Sequence, residues 1–279
     1  MQSLSRTLLL LILLYSSQSM ANEHNLTVVT LSPHLVEIMY AIDAGDQIIA
    51  TVDYSDFPLQ AQKIPTIGNH YGLNIETILA LKPDLILAWD TGNPIQQLQQ
   101  LAALGIEVKS FSPQSIEELF NDIEMIGSIV GKKHKAIKVV EKISQQLALI
   151  RQQNQHKAPV SVFYEIWPKP LRTIGSEKWI NGLLKVCGAR NIFAHLKPGY
   201  PVVNPESVIQ KNPQVIIKPT QNNKLSGPDF WHRWPELEAV DKQQIFAINA
   251  DLLHRFSPRF IIGLQQLCPA IDKARNRIN

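Results

Sequence analysis

The chain has 279 residues, 45% of them hydrophobic and 18% charged, with 27 Lys and Arg against 24 Asp and Glu and a formal net charge of +3. That length suffices for one large domain or two of ordinary size. A balance so close to neutral excludes the dense basic surface that a nucleic-acid partner requires, and past the first residues no run is long and apolar enough to cross a bilayer.

Residues 1–21 read as a secretory signal peptide. Arg6 precedes an apolar run from Leu8 to Tyr15 that is too short for a membrane span, and Ser19 and Ala21 supply small residues ahead of Asn22. No cysteine follows that run, which argues against a lipid anchor, so an exported protein of the periplasm is expected, with the net charge reduced by one when Arg6 leaves. Thr27 to Leu31 then reads as a buried strand, followed by Ser32-Pro33, a helix over about Leu35 to Ile42 and a second strand at Ile48 to Val52. Leu85 to Ala88 and Val108 to Phe111 are further apolar runs, separated by a helical stretch at Ile95 to Ala103. Such alternation predicts a parallel α/β sheet.

Lys132 to Gln155 contains neither glycine nor proline, and apolar residues recur at helical spacing at Ile137, Val140, Ile143, Leu147 and Ile150. One helix of about 24 residues, roughly 36 Å long, is predicted. It is either a core helix of one large domain or a stiff bridge, and the loss of alternation on both flanks favours the bridge. A second α/β run starts with Val160 to Tyr164, continues through a helix near Ile180 to Val186 and ends at Ile245-Phe246-Ala247. The expected division is therefore signal peptide 1–21, first lobe 22–131, linker helix 132–156 and second lobe 157–279.

A repeated pattern supports two related lobes. Asn74-Ile75-Glu76, Lys82-Pro83-Asp84 and Leu85-Ile86-Leu87 are echoed by Asn204-Pro205-Glu206, Asn212-Pro213-Gln214 and Val215-Ile216-Ile217. In each copy Asn is a helix N-cap, Glu sits in the first turn where the helix dipole favours an anion, and Pro ends the helix before a buried strand. Glu76 and Glu206 either stabilise their own helix starts or form two equivalent acidic knobs for a two-fold symmetric partner. A weaker echo pairs Phe111-Ser112-Pro113 with Phe256-Ser257-Pro258.

Aromatic residues cluster at predicted strand ends: Tyr54 after Ile48 to Val52, Trp89 after Leu85 to Ala88, and Trp167 after the strand that opens the second lobe, with Tyr200 just before the second copy of the repeat. Strand ends are where open α/β folds hold ligands, and aromatic rings suit a broad planar ligand with a polar rim; core packing is the competing account for each ring. His70 and His254 are open as metal ligands or as ordinary hydrogen-bonding loop residues. Phe230 to Pro235, with Trp231 and Trp234, is either a cleft wall or helix packing. Cys187 and Cys268, an even pair in an oxidising compartment, read most simply as one disulfide, worth on the order of 4 kcal/mol for a loop of about 80 residues. No nucleophile elbow, phosphate loop, dinucleotide fingerprint or zinc-protease motif occurs, so no catalytic or metal site is assigned and no enzyme activity is expected.

Several blocks carry a family resemblance: Val28-Val29-Thr30-Leu31-Ser32-Pro33, Tyr54-Ser55-Asp56-Phe57-Pro58, Ala80-Leu81-Lys82-Pro83-Asp84-Leu85, Ala88-Trp89 with Gly92-Asn93, Val186-Cys187-Gly188 with Asn191-Ile192-Phe193, and Ser257-Pro258-Arg259 with Gln265-Gln266-Leu267-Cys268. With them the chain resembles the helix-linked periplasmic substrate-binding proteins, and within these the members that serve cobalamin importers. The resemblance implies an α/β fold of two Rossmann-like lobes joined by a single long α-helix, with cobalamin as transported ligand, no cofactor, and an inner-membrane ABC permease with its ATPase subunits as partner of a monomer. It implies ligand contact for Tyr54, Trp89 and the loop Asp251, Leu252, Leu253, His254 and Arg255, docking of Glu76 and Glu206 on permease arginines, and a Cys187 to Cys268 disulfide. His70 with Tyr71, Tyr200, Leu252 and Trp167 depart from the family's aromatic pattern in the pocket, which leaves haem or a ferric siderophore as the alternative cargo. The stiff linker implies only small closure on binding.

Overall fold

The computed structural model describes residues 26–69, 71–221 and 230–275, so the expected signal peptide and His70 lie outside the described residues. In the first lobe the chain runs β1 (Val28–Thr30), α1 (Pro33–Ala41), β2 (Ile48–Ala50), a short hairpin of β3 (Gly68–Asn69) and β4 (Gly72–Leu73), α2 (Ile75–Leu81), β5 (Leu85–Trp89), α3 (Ile95–Ala103), β6 (Glu107–Phe111) and α4 (Ile116–Ile129). The long helix α5 (Lys133–Asn154) follows. The second lobe has β7 (Val160–Pro168), β8 (Leu171–Thr173), α6 (Lys178–Val186), β9 (Ala189–Asn191), α7 (Pro205–Lys211), β10 (Val215–Thr220), α8 (Glu238–Asp241), β11 (Ile245–Asn249), α9 (Ala250–His254) and α10 (Phe260–Arg275).

The first sheet has the order β2-β1-β5-β6 with every pairing parallel. The second has β11-β10-β7-β9 in parallel, and β8 adds an antiparallel hairpin on β7. The two hairpins have no counterpart in the expected elements, because β3, β4 and β8 are too short to show a period of two. Helix α1 begins two residues ahead of expectation at Pro33, whose fixed φ suits a first helical turn. The start of α6 is set by Glu177, whose carboxylate accepts from the backbone N–H groups of Trp179 and Ile180.

Strand residues alternate between two apolar layers. Val28, Leu85 and Leu87 of the first sheet, and Val160, Val162, Tyr164, Val215 and Ile217 of the second, share one continuous core with Ala136, Ile143 and Leu147 of α5. The opposite faces form separate outer cores, one around Val29, Leu31, Ile86 and Ala88, the other around Phe163, Ile216 and Trp231. The expected spacer helix is thus also a core element, buried along one face between the lobes. Trp231 is fully buried and donates its indole N–H to Glu165 at 2.6 Å, so the Trp231 to Trp234 cluster is packing and not a cleft wall.

The sequence repeat is a structural repeat. The succession of exposed, half-buried and buried positions is the same over 74–87 and 204–217. Asn74 and Asn204 cap their helices by accepting from Thr77 and Ser207 N–H at 3.0 and 2.9 Å, and Lys82 and Asn212 close them in the left-handed region at φ 48° and 41°. Asp84 accepts from the Thr27 N–H at 2.8 Å and Gln214 from the Ser161 N–H at 2.9 Å, tying each motif to the first strand of its own sheet. Cys187 and Cys268 are bonded across a sequence separation of 81 residues, joining the end of α6 to α10.

The lobes are lashed together by one buried carboxylate. Glu37 of α1, its side chain 1% exposed, accepts from the second lobe's Ser257 Oγ at 2.5 Å, Arg255 Nη1 at 2.8 Å and Arg259 Nη1 at 2.9 Å. Asp56 and Asp251 also pair with Arg255 at 2.8 and 3.1 Å, so three carboxylates face the two guanidiniums. Beside this network Phe256 wedges between His34, Trp89 and Trp179 at ring-centroid distances of 5.6, 6.1 and 5.0 Å. Burial, followed by the charge of Arg255, lowers the His34 pKa to about 3.

Removing one partner of a buried ion pair strands the others, so Glu37→Ala is expected to lower unfolding free energy by about 3–5 kcal/mol, read from urea midpoints. His34 is neutral in the fold but takes up a proton below pH 6.5 once unfolded. Its contribution is therefore complete above that pH and lost as pH falls towards about 3, with a slope of at most about 1.4 kcal/mol per pH unit. Urea midpoints across this range are expected to fall less steeply in His34→Phe than in the native chain; parallel curves would contradict the assignment.

Candidate functional site

Residues at or after the ends of β2 and β5 meet the segment that follows β11, where Arg255 reaches Tyr54 and Phe256 packs on Trp89. Tyr54 follows β2 and has φ 65°, a left-handed conformation that is strained for a tyrosine. Its carbonyl accepts from Arg255 Nη2 at 3.2 Å, and its side chain is 71% exposed. A clamp from the opposite lobe thus holds the backbone that presents this ring.

Trp89 ends β5 and is seated by a tight turn. Its carbonyl accepts from Gly92 and Asn93 N–H at 3.1 and 2.9 Å, while Asn93 Oδ1 accepts from the Trp89 N–H at 2.7 Å and Asn93 Nδ2 donates to the Leu31 carbonyl at 2.8 Å. A Cβ at position 92 would fall inside the indole, so glycine there makes room for the ring to lie over the turn. His34 meets the indole edge-on at 5.4 Å. The indole N–H is buried and has no partner among the described residues, which is costly unless an acceptor arrives.

On the second lobe, Tyr164 OH and His254 Nε2 form a 2.9 Å hydrogen bond. His254 keeps surface open to solvent, yet the packed walls around it desolvate the imidazole and lower its pKa to about 4. Burial raises the Tyr164 phenol, and burial together with Glu177 raises Tyr200 to about 12, so both stay protonated hydrogen-bonding groups at neutral pH. Arg172 Nη1 donates to the Tyr200 carbonyl at 3.2 Å. Trp167, at the end of β7, and Tyr200 are 60% and 50% exposed. These phenol, indole and imidazole groups are suited to a large flat ligand with amide and hydroxyl edges.

Four of the expected ligand contacts are engaged within the protein. Leu252 and Leu253 are buried within the second lobe, Leu253 in the shared core with its carbonyl accepting from Trp179 Nε1 at 2.7 Å, because they occupy the inward face of α9. Arg255 is committed to Glu37, Asp56 and Asp251 and is only 12% exposed, so it positions Tyr54 instead of offering its charge to a ligand. Asp251 is half exposed but engaged by that same guanidinium. Among the described residues no group of three or more His, Cys, Asp or Glu is gathered as a metal site.

The structure adds Glu37, Ser257, Phe256 and Gly92 to the site. A signal for Glu37 exists: it interrupts Leu35, Val36, Ile38 and Met39, and a carboxylate on so apolar a face needs a cation, which Arg255 and Arg259 supply at a spacing of four. Glu76 and Glu206 are both exposed, each in the first turn of an outer helix whose Ile78 or Val208 packs on its own lobe.

Comparison with known proteins finds relatives along most of the chain. The vitamin B12-binding protein of Vibrio cholerae serotype O1 is 35% identical over 251 residues, 90% of either chain. That of Vibrio parahaemolyticus serotype O3:K6 is 30% identical over 275 residues, 98% of this chain and 99% of the relative. The crystal structure of the periplasmic vitamin B12-binding protein of Vibrio cholerae superposes with a TM-score of 0.82 at 35% identity, covering 89% of this chain and 97% of that one. The periplasmic haem-binding protein of Vibrio cholerae shares the fold, with a TM-score of 0.78 at 23% identity over 88% of this chain and 98% of its own. Residues 28–252 match the periplasmic binding protein family across both lobes, and the chain belongs to that family.

Proposed function

We propose that this chain captures vitamin B12 between its lobes in the periplasm and delivers it to an inner-membrane ABC permease, acting by binding alone. The observation that carries this reading is the gathering of Tyr54, Trp89 and His254 at the junction of two sets of strand ends, flanked by the open rings of Trp167 and Tyr200. Its phenol and imidazole groups suit a corrinoid rim of amides, and the unpartnered Trp89 indole N–H suits one of their carbonyls. The likeness to the Vibrio vitamin B12-binding proteins supports the same ligand. His254 already shares Nε2 with Tyr164, which disfavours it as an axial ligand for haem.

In this reading residues 22–131 and 157–279 are the two gripping lobes, 132–156 joins them and 1–21 is the export signal. Glu76 and Glu206 dock on arginines of the two permease subunits. Their matched caps, exposure and outer-face helices support a two-fold partner.

Calorimetric titration of the protein with cyanocobalamin, with haemin in parallel, tests the cargo. One-to-one binding at micromolar strength or tighter, about −8 kcal/mol or better, is expected for cyanocobalamin; heat with haemin alone would move the function to haem uptake. Tyr54→Gly fits the left-handed backbone, so it is expected to shift stability by less than about 1 kcal/mol while weakening cyanocobalamin by about tenfold or more. Charge reversal of both glutamates, E76K with E206K, is expected to abolish capture by detergent-solubilised permease and leave cyanocobalamin affinity unchanged. Permease binding that persists while ligand affinity falls would refute the docking role.

A further inference from the structure

Away from the cleft, a cavity of about 590 Å³ opens where both lobes meet the joining helix. Its walls are the start of α4 at Ser115 to Glu117, the end of α5 at Arg151 and Asn154, and one face of α6. The volume falls within the range of about 300–1,000 Å³ typical of small-molecule sites. Ile116, Trp179 and Val186 are buried side chains that give it an apolar floor.

The rim is basic. Arg151, Lys157, Lys178 and Lys185 face a single lining carboxylate, Glu117. Arg151 is paired with Glu117 at 2.9 Å and Lys157 with Asp272 at 2.8 Å, whereas Lys178 and Lys185 pair with no carboxylate among the described residues. Both lysines lie on one helical face with Gly182 between them, about 10 Å apart along the axis. Gly182 costs this helix about 1 kcal/mol relative to alanine. A Cβ there would meet nothing within 4 Å and its φ is not positive, so neither packing nor backbone conformation requires glycine. What the glycine supplies is open floor between two uncompensated cations.

We propose that this cavity is a second binding site, for a small organic anion whose apolar body rests on Ile116, Trp179 and Val186 and whose carboxylate, sulfonate or phosphate head lies between Lys178 and Lys185. It is separate from the cleft: Trp179 stands between them, facing Phe256 at 5.0 Å, and Phe256 in turn faces Trp89 at 6.1 Å. Because the walls come from both lobes and the linker, an occupant stiffens the joint.

The test is a fluorescence titration of the protein with 8-anilinonaphthalene-1-sulfonate and, in parallel, its uncharged counterpart N-phenyl-1-naphthylamine. Saturable one-to-one binding of the sulfonate is expected, about tenfold tighter than the neutral compound and weakened about tenfold or more by K178E with K185E. Gly182→Phe, which fills the floor, is expected to weaken it similarly. The lysines are exposed, so their double variant leaves the core intact and decides the matter even if Gly182→Phe folds poorly; thermal melting checks its fold. Unchanged affinity in the lysine variant, equal affinity for the neutral compound, a loss that follows Trp89→Ala instead, or no saturable binding would each overturn the proposal.

Discussion

The architecture depends on the burial of one carboxylate between two lobes. Glu37 is carried into an apolar interior by α1, and only the second lobe can satisfy it, through Ser257, Arg255 and Arg259. An uncompensated carboxylate there would cost several kcal/mol, so the lobes are held at the spacing that closes these three bonds. The same Arg255 reaches the carbonyl of Tyr54 and fixes a left-handed backbone, so the clamp that sets the lobe spacing also aims a cleft ring. Phe256, next in sequence, packs against His34, Trp89 and Trp179 and seals the floor of the junction.

Around that clamp the molecule is built twice from the same devices. Each lobe has a parallel sheet whose central strands are buried on both faces, an asparagine-capped outer helix closed by a left-handed residue, and a polar side chain that ties the motif back to the first strand. The duplication is not perfect. The second sheet takes an antiparallel strand, β8, and its outer core is filled by Trp231 where the first lobe uses aliphatic side chains. Joining the lobes through α5 as a core element, with the disulfide behind it in the second lobe, makes the pair one mechanical unit.

The fold was legible where local physics repeats. Continuous apolar strands, the Asn and Pro punctuation of α2 and α7, and the glycine-free run of α5 each carry their own signal, and α5 lies within one residue of its expected bounds, whereas β7 runs to Pro168, four residues past the expected Tyr164, where its hairpin with β8 extends it. The places of Tyr54 after β2 and Trp89 at the end of β5 were legible because strand ends can be read from the sequence. The loop from Asp251 to Arg255 was misread in part because its helix α9 is a single turn: which of five residues face inward is decided by packing on α10, not by periodicity. The ion-pair role of Glu37 is not legible because its three partners lie more than 200 residues away, and no local pattern carries that distance.

A clamped cleft should be nearly in its final shape before the ligand arrives, so the lobes should move little on binding. Solution X-ray scattering of the protein with and without saturating cyanocobalamin measures this directly. The account predicts radii of gyration that agree to within about 1 Å, as in pre-organised complexes. A contraction of several ångströms, on the scale of hinge closure, would show that the Glu37 clamp does not set the lobe spacing and would contradict it.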